Sequence, residues 1–110
     1  MIMKRLLSLI IIACILALPA LAEAGGADYE QGQACFDSGD YAGALTHYLS
    51  AARVGNADAE NALGDMYCIG LGVERDLETA LEYYNAAAEH GSAEAQWMID
   101  ALIDGRSLDD

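Results

Sequence analysis

The sequence predicts an all-α chain: a short α-solenoid of about five helices, two helix-hairpin repeats plus a C-terminal capping helix, behind a signal peptide. Three observations carry this expectation. The chain matches itself at a shift of 36 positions: Tyr41, Ala44, Leu45, Tyr48, Ala51, Ala52 and Gly55 fall on Leu77, Ala80, Leu81, Tyr84, Ala87, Ala88 and Gly91, and Ala59, Leu63 and Met66 fall on Ala95, Ile99 and Leu102. Self-similarity at such a period marks stacked supersecondary units. Within each matched group the gaps are three and four, which puts the small and apolar side chains on one stripe of a helix. Glycine and short polar residues separate the stripes, no proline follows Pro19, and no segment carries a strand signal.

Taken in order, the chain opens with Lys4 and Arg5, an apolar run from Leu6 to Leu18, and Pro19 before Ala20-Leu21-Ala22. Positive, apolar and small residues in that order form a secretory signal peptide, expected over 1–22 with cleavage after Ala22. The run is shorter than the roughly 20 apolar residues that span a bilayer, so no stable membrane anchor is expected after cleavage. Ile11-Ile12-Ala13-Cys14 resembles a bacterial lipidation box, but Ile15 to Leu21 stays apolar, which disfavours that reading. A periplasmic or secreted location follows.

Residues 23–27 read as a linker of small residues. The first helix is expected from Asp28 to about Ser38, with Asp40 capping the second, Tyr41 to Val54. Asn56 and Ser92 stand in matching places before later helices, where short polar side chains accept from free backbone N–H groups. Gly55 and Gly91 close the helices before them. Asp58, Glu60, Asp76, Glu78 and Glu94 lie near helix starts and complement the positive ends of the helix dipoles. The last helix, Ala93 to about Leu102 or a little beyond, has no second helix after it and is expected to cap the central unit. The units are thus 28–56, 57–92 and a half-unit with its tail over 93–110.

Ala59, Leu63, Gly64, Tyr67, Gly70, Gly72 and Val73, followed by Asp76, Ala80, Tyr84, Ala87, Ala88 and Gly91, resemble the Sel1-like repeat of the tetratricopeptide superfamily. Gly32, Gly39, Asp40, Tyr41, Ala44, Tyr48 and Ala51 look more like a plain tetratricopeptide unit, because the turn from Phe36 to Asp40 is shorter than that from Cys68 to Asp76. The resemblance implies stacked hairpins whose first helices line a concave face, and a role in holding protein partners rather than transforming substrates.

Removing the signal peptide takes Lys4 and Arg5 away, leaving Arg53, Arg75 and Arg106 against all 18 acidic residues, three minus eighteen, or a formal charge of −15. Nucleic acid and anionic membrane surfaces are disfavoured, since phosphate binding needs clustered Lys and Arg. The balance favours a basic protein or peptide, or serves solubility alone. No H-E-x-x-H, G-x-S-x-G, phosphate loop or dinucleotide fingerprint is present, and no lysine follows Gly70 and Gly72. No catalytic residue, cofactor or metal is therefore expected. His47 and His90 lie on second helices without ligand-like pairing and read as surface residues.

Cys35 and Cys68 survive maturation, near the ends of first helices in adjacent units. An oxidising compartment permits a disulfide between them, but their registers differ by one residue, and a bond needs Cα atoms within about 7 Å. Disulfide and free buried thiols both stay open.

On the concave face that the resemblance implies, the side chains off the apolar stripe are Tyr29, Gln33 and Asp37, then Asp58, Asn61 and Asp65, then Glu94 and Trp97. Phe36 and Asp104 adjoin them, and Phe36 is expected to pack inward. Aromatic residues among carboxylates suit a segment bearing Lys or Arg, with Tyr29 and Trp97 as anchors; for Trp97, packing against a neighbouring helix stays equally open. The function expected is an exported protein-interaction module. An immunity or inhibitor protein against a cationic toxin or enzyme is the alternative. A beta-lactam-binding or hydrolysing repeat protein is a minor one, and it lacks the Ser-x-x-Lys such chemistry uses.

Overall fold

The computed structural model describes residues 25–108. The signal peptide expected over 1–22, its cleavage site and Cys14 lie outside the described residues. Five helices follow one another: α1 (25–37), α2 (Tyr41–Arg53), α3 (Ala57–Ile69), α4 (Leu77–Glu89) and α5 (Ala93–Leu108), with no strand among the described residues.

Short polar residues start these helices as their positions in the sequence suggest. Asp40 Oδ1 accepts from the Gly43 N–H at 3.0 Å, Asn56 Oδ1 from Ala59 at 2.9 Å, and Ser92 Oγ from Ala95 at 3.1 Å. Asp76 Oδ1 takes the N–H groups of Glu78 and Thr79, and its Oδ2 takes the Thr79 hydroxyl at 2.7 Å. These bonds satisfy donors that a helix start leaves unpaired.

Three of the turns have three residues each (38–40, 54–56 and 90–92), whereas the α3–α4 turn has seven (70–76). Gly70 ends α3 in the left-handed region, and both Gly70 and Leu71 donate backbone N–H groups to Met66 O. The Asp76 N–H donates to Tyr67 O at 2.9 Å and closes the base of the turn. The four extra residues fold back over α2: a Cβ on Gly72 would stand 2.7 Å from Tyr41 Cβ, and Leu71 and Val73 pack against the first core cluster.

That cluster joins Ala44, Tyr48 and Ala51 of α2 to Ala59, Leu63 and Met66 of α3; a second joins Ala80, Tyr84 and Ala87 of α4 to Ala95 and Ile99 of α5. Alanines let the helix axes approach, while the two fully buried tyrosines fill the space. Each tyrosine lies on a glycine of its hairpin partner. A Cβ on Gly32 would come within 2.6 Å of the Tyr48 ring, and one on Gly64 within 2.6 Å of the Tyr84 ring.

Two boundaries differ from expectation. The helix is already formed at residue 25, so 25–27, read as linker, belong to α1. Gly25 is buried, and a Cβ there would stand 2.8 Å from Val54 Cγ2; its small size lets α1 approach the α2–α3 turn. At the other end α5 runs on through Gly105 to Leu108, farther than the end at about Leu102 or a little beyond that the sequence suggests.

Candidate partner-binding face

The buried hydroxyls of the two core tyrosines point to the same place in each hairpin. Tyr48 donates to Gln33 Oε1 at 3.0 Å, and Tyr84 donates to Asp65 Oδ1 at 2.5 Å. Gln33 and Asp65 each follow the glycine on which the ring lies, so one repeat device aligns ring and acceptor. Burial, followed by the neighbouring Tyr29 and Asp37, pushes Tyr48 up to about 12; burial and then the Asp65 bond push Tyr84 further in the same direction. Both phenols therefore stay protonated donors at neutral pH.

Tyr29 stacks on Tyr48, ring centroids 5.7 Å apart, and its hydroxyl donates to Gln33 Oε1 at 3.4 Å. Gln33 Nε2 donates in turn to Asp37 Oδ1 at 3.1 Å. The Tyr29 phenol is raised first by burial and then by the negative charges of Asp58, Glu94 and Asp37. Those carboxylates come from α3, α5 and α1, so negative charge from all three first-position helices acts on one half-buried aromatic.

Hydrogen bonds join Tyr29, Gln33 and Asp37, and the expected site residues differ in their surroundings. Gln33 and Asp65 are committed to tyrosine hydroxyls inside the fold, whereas Asp37, Asp58 and Glu94 are exposed. Trp97 is 67% exposed. Asn61 is only 7% exposed, and its Oδ1 is buried without a hydrogen-bond partner among the described residues. Phe36 packs inward as expected, edge-on to Tyr41 at 5.2 Å.

Cys35 and Cys68 are both free thiols, half-buried, with Cys35 packed against the first core cluster and Cys68 against the second. His90 is exposed, as its sequence position suggests, and is also paired: its Nδ1 donates to Glu60 Oε2 at 2.7 Å, and Glu60 is 5% exposed. The bond to Glu60 and the Glu60 charge raise the imidazole above its ordinary value. Sequence reasoning missed this pair because its members stand 30 residues apart. The available signal was register: Glu60 lies four residues before Gly64, on the stripe of α3 that receives α4.

A cavity of about 520 Å³ opens beside the long turn and is lined by Tyr67, Val73, Glu74, Arg75 and Asp76. Among the described residues no helix is long and apolar enough to cross a membrane.

The Sel1 repeat family model matches residues 19–56 and 57–92, together more than half of the chain. The first unit, closer to a plain tetratricopeptide unit when read from its turn, is thereby matched as a Sel1 repeat too. Protein sel-1 homolog 2 of Mus musculus and of Rattus norvegicus are each 40% identical over 60 residues, which is 54% of this chain and 9% of theirs. The chain spans about a tenth of the length of these curated relatives. No solved structure matches it. Repeats of this kind are helical modules that generally mediate protein–protein interaction, and the chain belongs to the Sel1 repeat family.

Proposed function

We propose that the mature chain is an exported interaction module that holds a basic segment of a partner protein on the face shared by α1, α3 and α5. The observation that carries this reading is the half-buried Tyr29, stacked on Tyr48 and joined through Gln33 to Asp37, with the exposed Asp58 and Glu94 carboxylates of α3 and α5 adding their charge to that of Asp37 in raising its phenol. Carboxylates on a fixed scaffold attract and orient a cationic segment, and an aromatic ring gives its aliphatic stems an apolar surface. The exposed Trp97, on the last first-position helix, supplies a second anchor of the type that dominates binding energy. The positive, apolar and small residues of 1–22 support export.

The test is capture from an envelope extract with the chain from Glu23 onward, alongside a variant carrying Tyr29→Ala and Trp97→Ala that retains wild-type helicity. The expected outcome is a cationic protein held by the native chain, lost with the variant and released by salt. Equal retention by both baits, or capture of acidic proteins, contradicts the proposal. Very tight retention of a single cationic enzyme together with its inhibition would make the module an inhibitor.

A further inference from the structure

The cavity beside the long turn shares none of its lining residues with the face of Tyr29, and its volume of about 520 Å³ falls among those of ligand pockets, about 300–1,000 Å³. One wall is Tyr67, whose ring stacks on that of Tyr83 with centroids 5.7 Å and planes 17° apart. Both rings are half-buried, so the pair joins α3 to α4 and fixes the Tyr67 ring. The other wall is the turn, residues 73–76. Two close approaches set its path. The Asp76 N–H donates to Tyr67 O at 2.9 Å, and Gly70 meets Arg75 so closely that a Cβ on the glycine would stand 3.2 Å from Arg75 Cβ and 3.3 Å from its backbone nitrogen. Backbone packing, not charge, therefore places the root of Arg75.

The charged groups at this cavity are unequally committed. Asp76 spends Oδ1 on the Glu78 and Thr79 N–H groups and Oδ2 on the Thr79 hydroxyl. Arg75 is exposed and enters no ion pair or side-chain hydrogen bond among the described residues, in a chain of 18 acidic and 5 basic residues. Its planar fork of N–H donors matches a carboxylate, with which it forms two parallel charge-assisted bonds. The Tyr67 ring and Val73 beside it offer an apolar surface on which a second ring can stack.

We propose that this cavity binds an aromatic carboxylate, its carboxylate paired with the Arg75 guanidinium and its ring lying on Tyr67 and Val73. Two sources carry that chemistry: a free aromatic acid, and the last residue of a partner chain that ends in Phe, Tyr or Trp. Glu74, exposed at the same cavity, opposes the ligand's charge and limits its affinity. The site does not depend on the acidic face, which takes ligands of the opposite charge.

The test uses the chain from Glu23 onward, which keeps α1 to α5, with N-acetyl-phenylalanine and an acetylated Gly/Ser peptide ending in Phe with a free carboxylate. The amides of both compounds serve as controls. The acids are expected to bind and to shift the NMR signals of the Tyr67 ring and the backbone amides of 73–76. Their amides bind about tenfold more weakly or less, because the charge-assisted bonds are gone. Arg75→Gln is expected to cause the same loss with the melting temperature unchanged, since the Arg75 head holds nothing else in the fold. Arg75→Lys, which keeps the charge but not the fork, recovers part of the binding. Glu74→Gln tightens it. Tighter binding of the peptide than of the free acid assigns the site to chain ends; an affinity no higher assigns it to free acids.

Amides that bind as well as the acids, an Arg75→Gln chain that binds as well as the parent, or shifts confined to residues outside the cavity would each overturn the site. So would the failure of both acids to bind at millimolar concentration.

Discussion

Gly64→Ala tests the packing that holds each hairpin together. The added Cβ would stand 2.6 Å from Tyr84 Cδ1 and Cε1 and 2.9 Å from Cζ, where ordinary contacts lie at 3.4–4 Å. Tyr84 is fully buried, so its ring has no free space into which to retreat. Alanine gains about 1 kcal/mol over glycine inside a helix. Displacing a packed ring costs about 1–3 kcal/mol. Moving that ring also breaks the Tyr84–Asp65 hydrogen bond, worth about 1.5–3 kcal/mol with a charged acceptor. The balance is a loss of roughly 3 kcal/mol, on the order of 15 °C in melting temperature for a chain of this size. Urea denaturation followed by circular dichroism reads it directly. Gly105→Ala is the matched control: it lies in α5 with nothing within 4 Å of its Cβ position, so only the helix-propensity gain of about 0.5–1 kcal/mol applies. A Gly64→Ala chain as stable as the parent, or both variants moving in the same direction, would refute the ring-on-glycine account.

Other predictions follow from single contacts. His90 has its folded-state pKa raised by Glu60, so the pair's stabilisation is fully present below the unfolded histidine value, about 6.5, and is lost as pH rises through the folded value. Denaturation midpoints should therefore fall on going from slightly acidic to alkaline pH, and His90→Gln should flatten that dependence; an unchanged profile contradicts the pair. Asn56→Ala removes the bond to the Ala59 N–H at the start of α3 and should cost about 1 kcal/mol, most of it restored by Asn56→Asp. Thiol titration of the unfolded mature chain without reductant should find two reactive groups, since Cys35 and Cys68 are free; finding none would mean that they are joined.

Much of the fold was legible because each local signal agrees with the global arrangement. Ala44, Tyr48 and Ala51 repeat as Ala80, Tyr84 and Ala87, and the structure buries all six. Asp40, Asn56, Asp76 and Ser92 cap the helices they precede. The boundaries that shifted are those where small residues carry two meanings. Gly25 reads as linker in sequence, yet its lack of a side chain is what admits α1 against Val54. The division of labour on the candidate face was less legible. Gln33 and Asp65 share the sequence character of groove residues, but the four-residue difference between the two hairpin turns hides their equivalence at a single repeat shift. Only after the longer turn of 70–76 is set aside do Gly32-Gln33 and Gly64-Asp65 align, each facing its own tyrosine. The Glu60–His90 pair and the unpaired Asn61 oxygen depend on how helices stack, which the one-dimensional pattern does not encode.

The most direct measurement is an amide and side-chain NMR map of the mature chain titrated with a Gly/Ser peptide carrying lysines and arginines, at low and moderate salt. Binding on the proposed face predicts shifts concentrated at Tyr29, Asp37, Asp58 and Glu94 and at the Trp97 indole N–H, fading as salt is added. Shifts confined instead to the 70–76 turn and the exposed Glu82 and Asn85 of α4, or none at a peptide concentration that saturates charge binding, would contradict it.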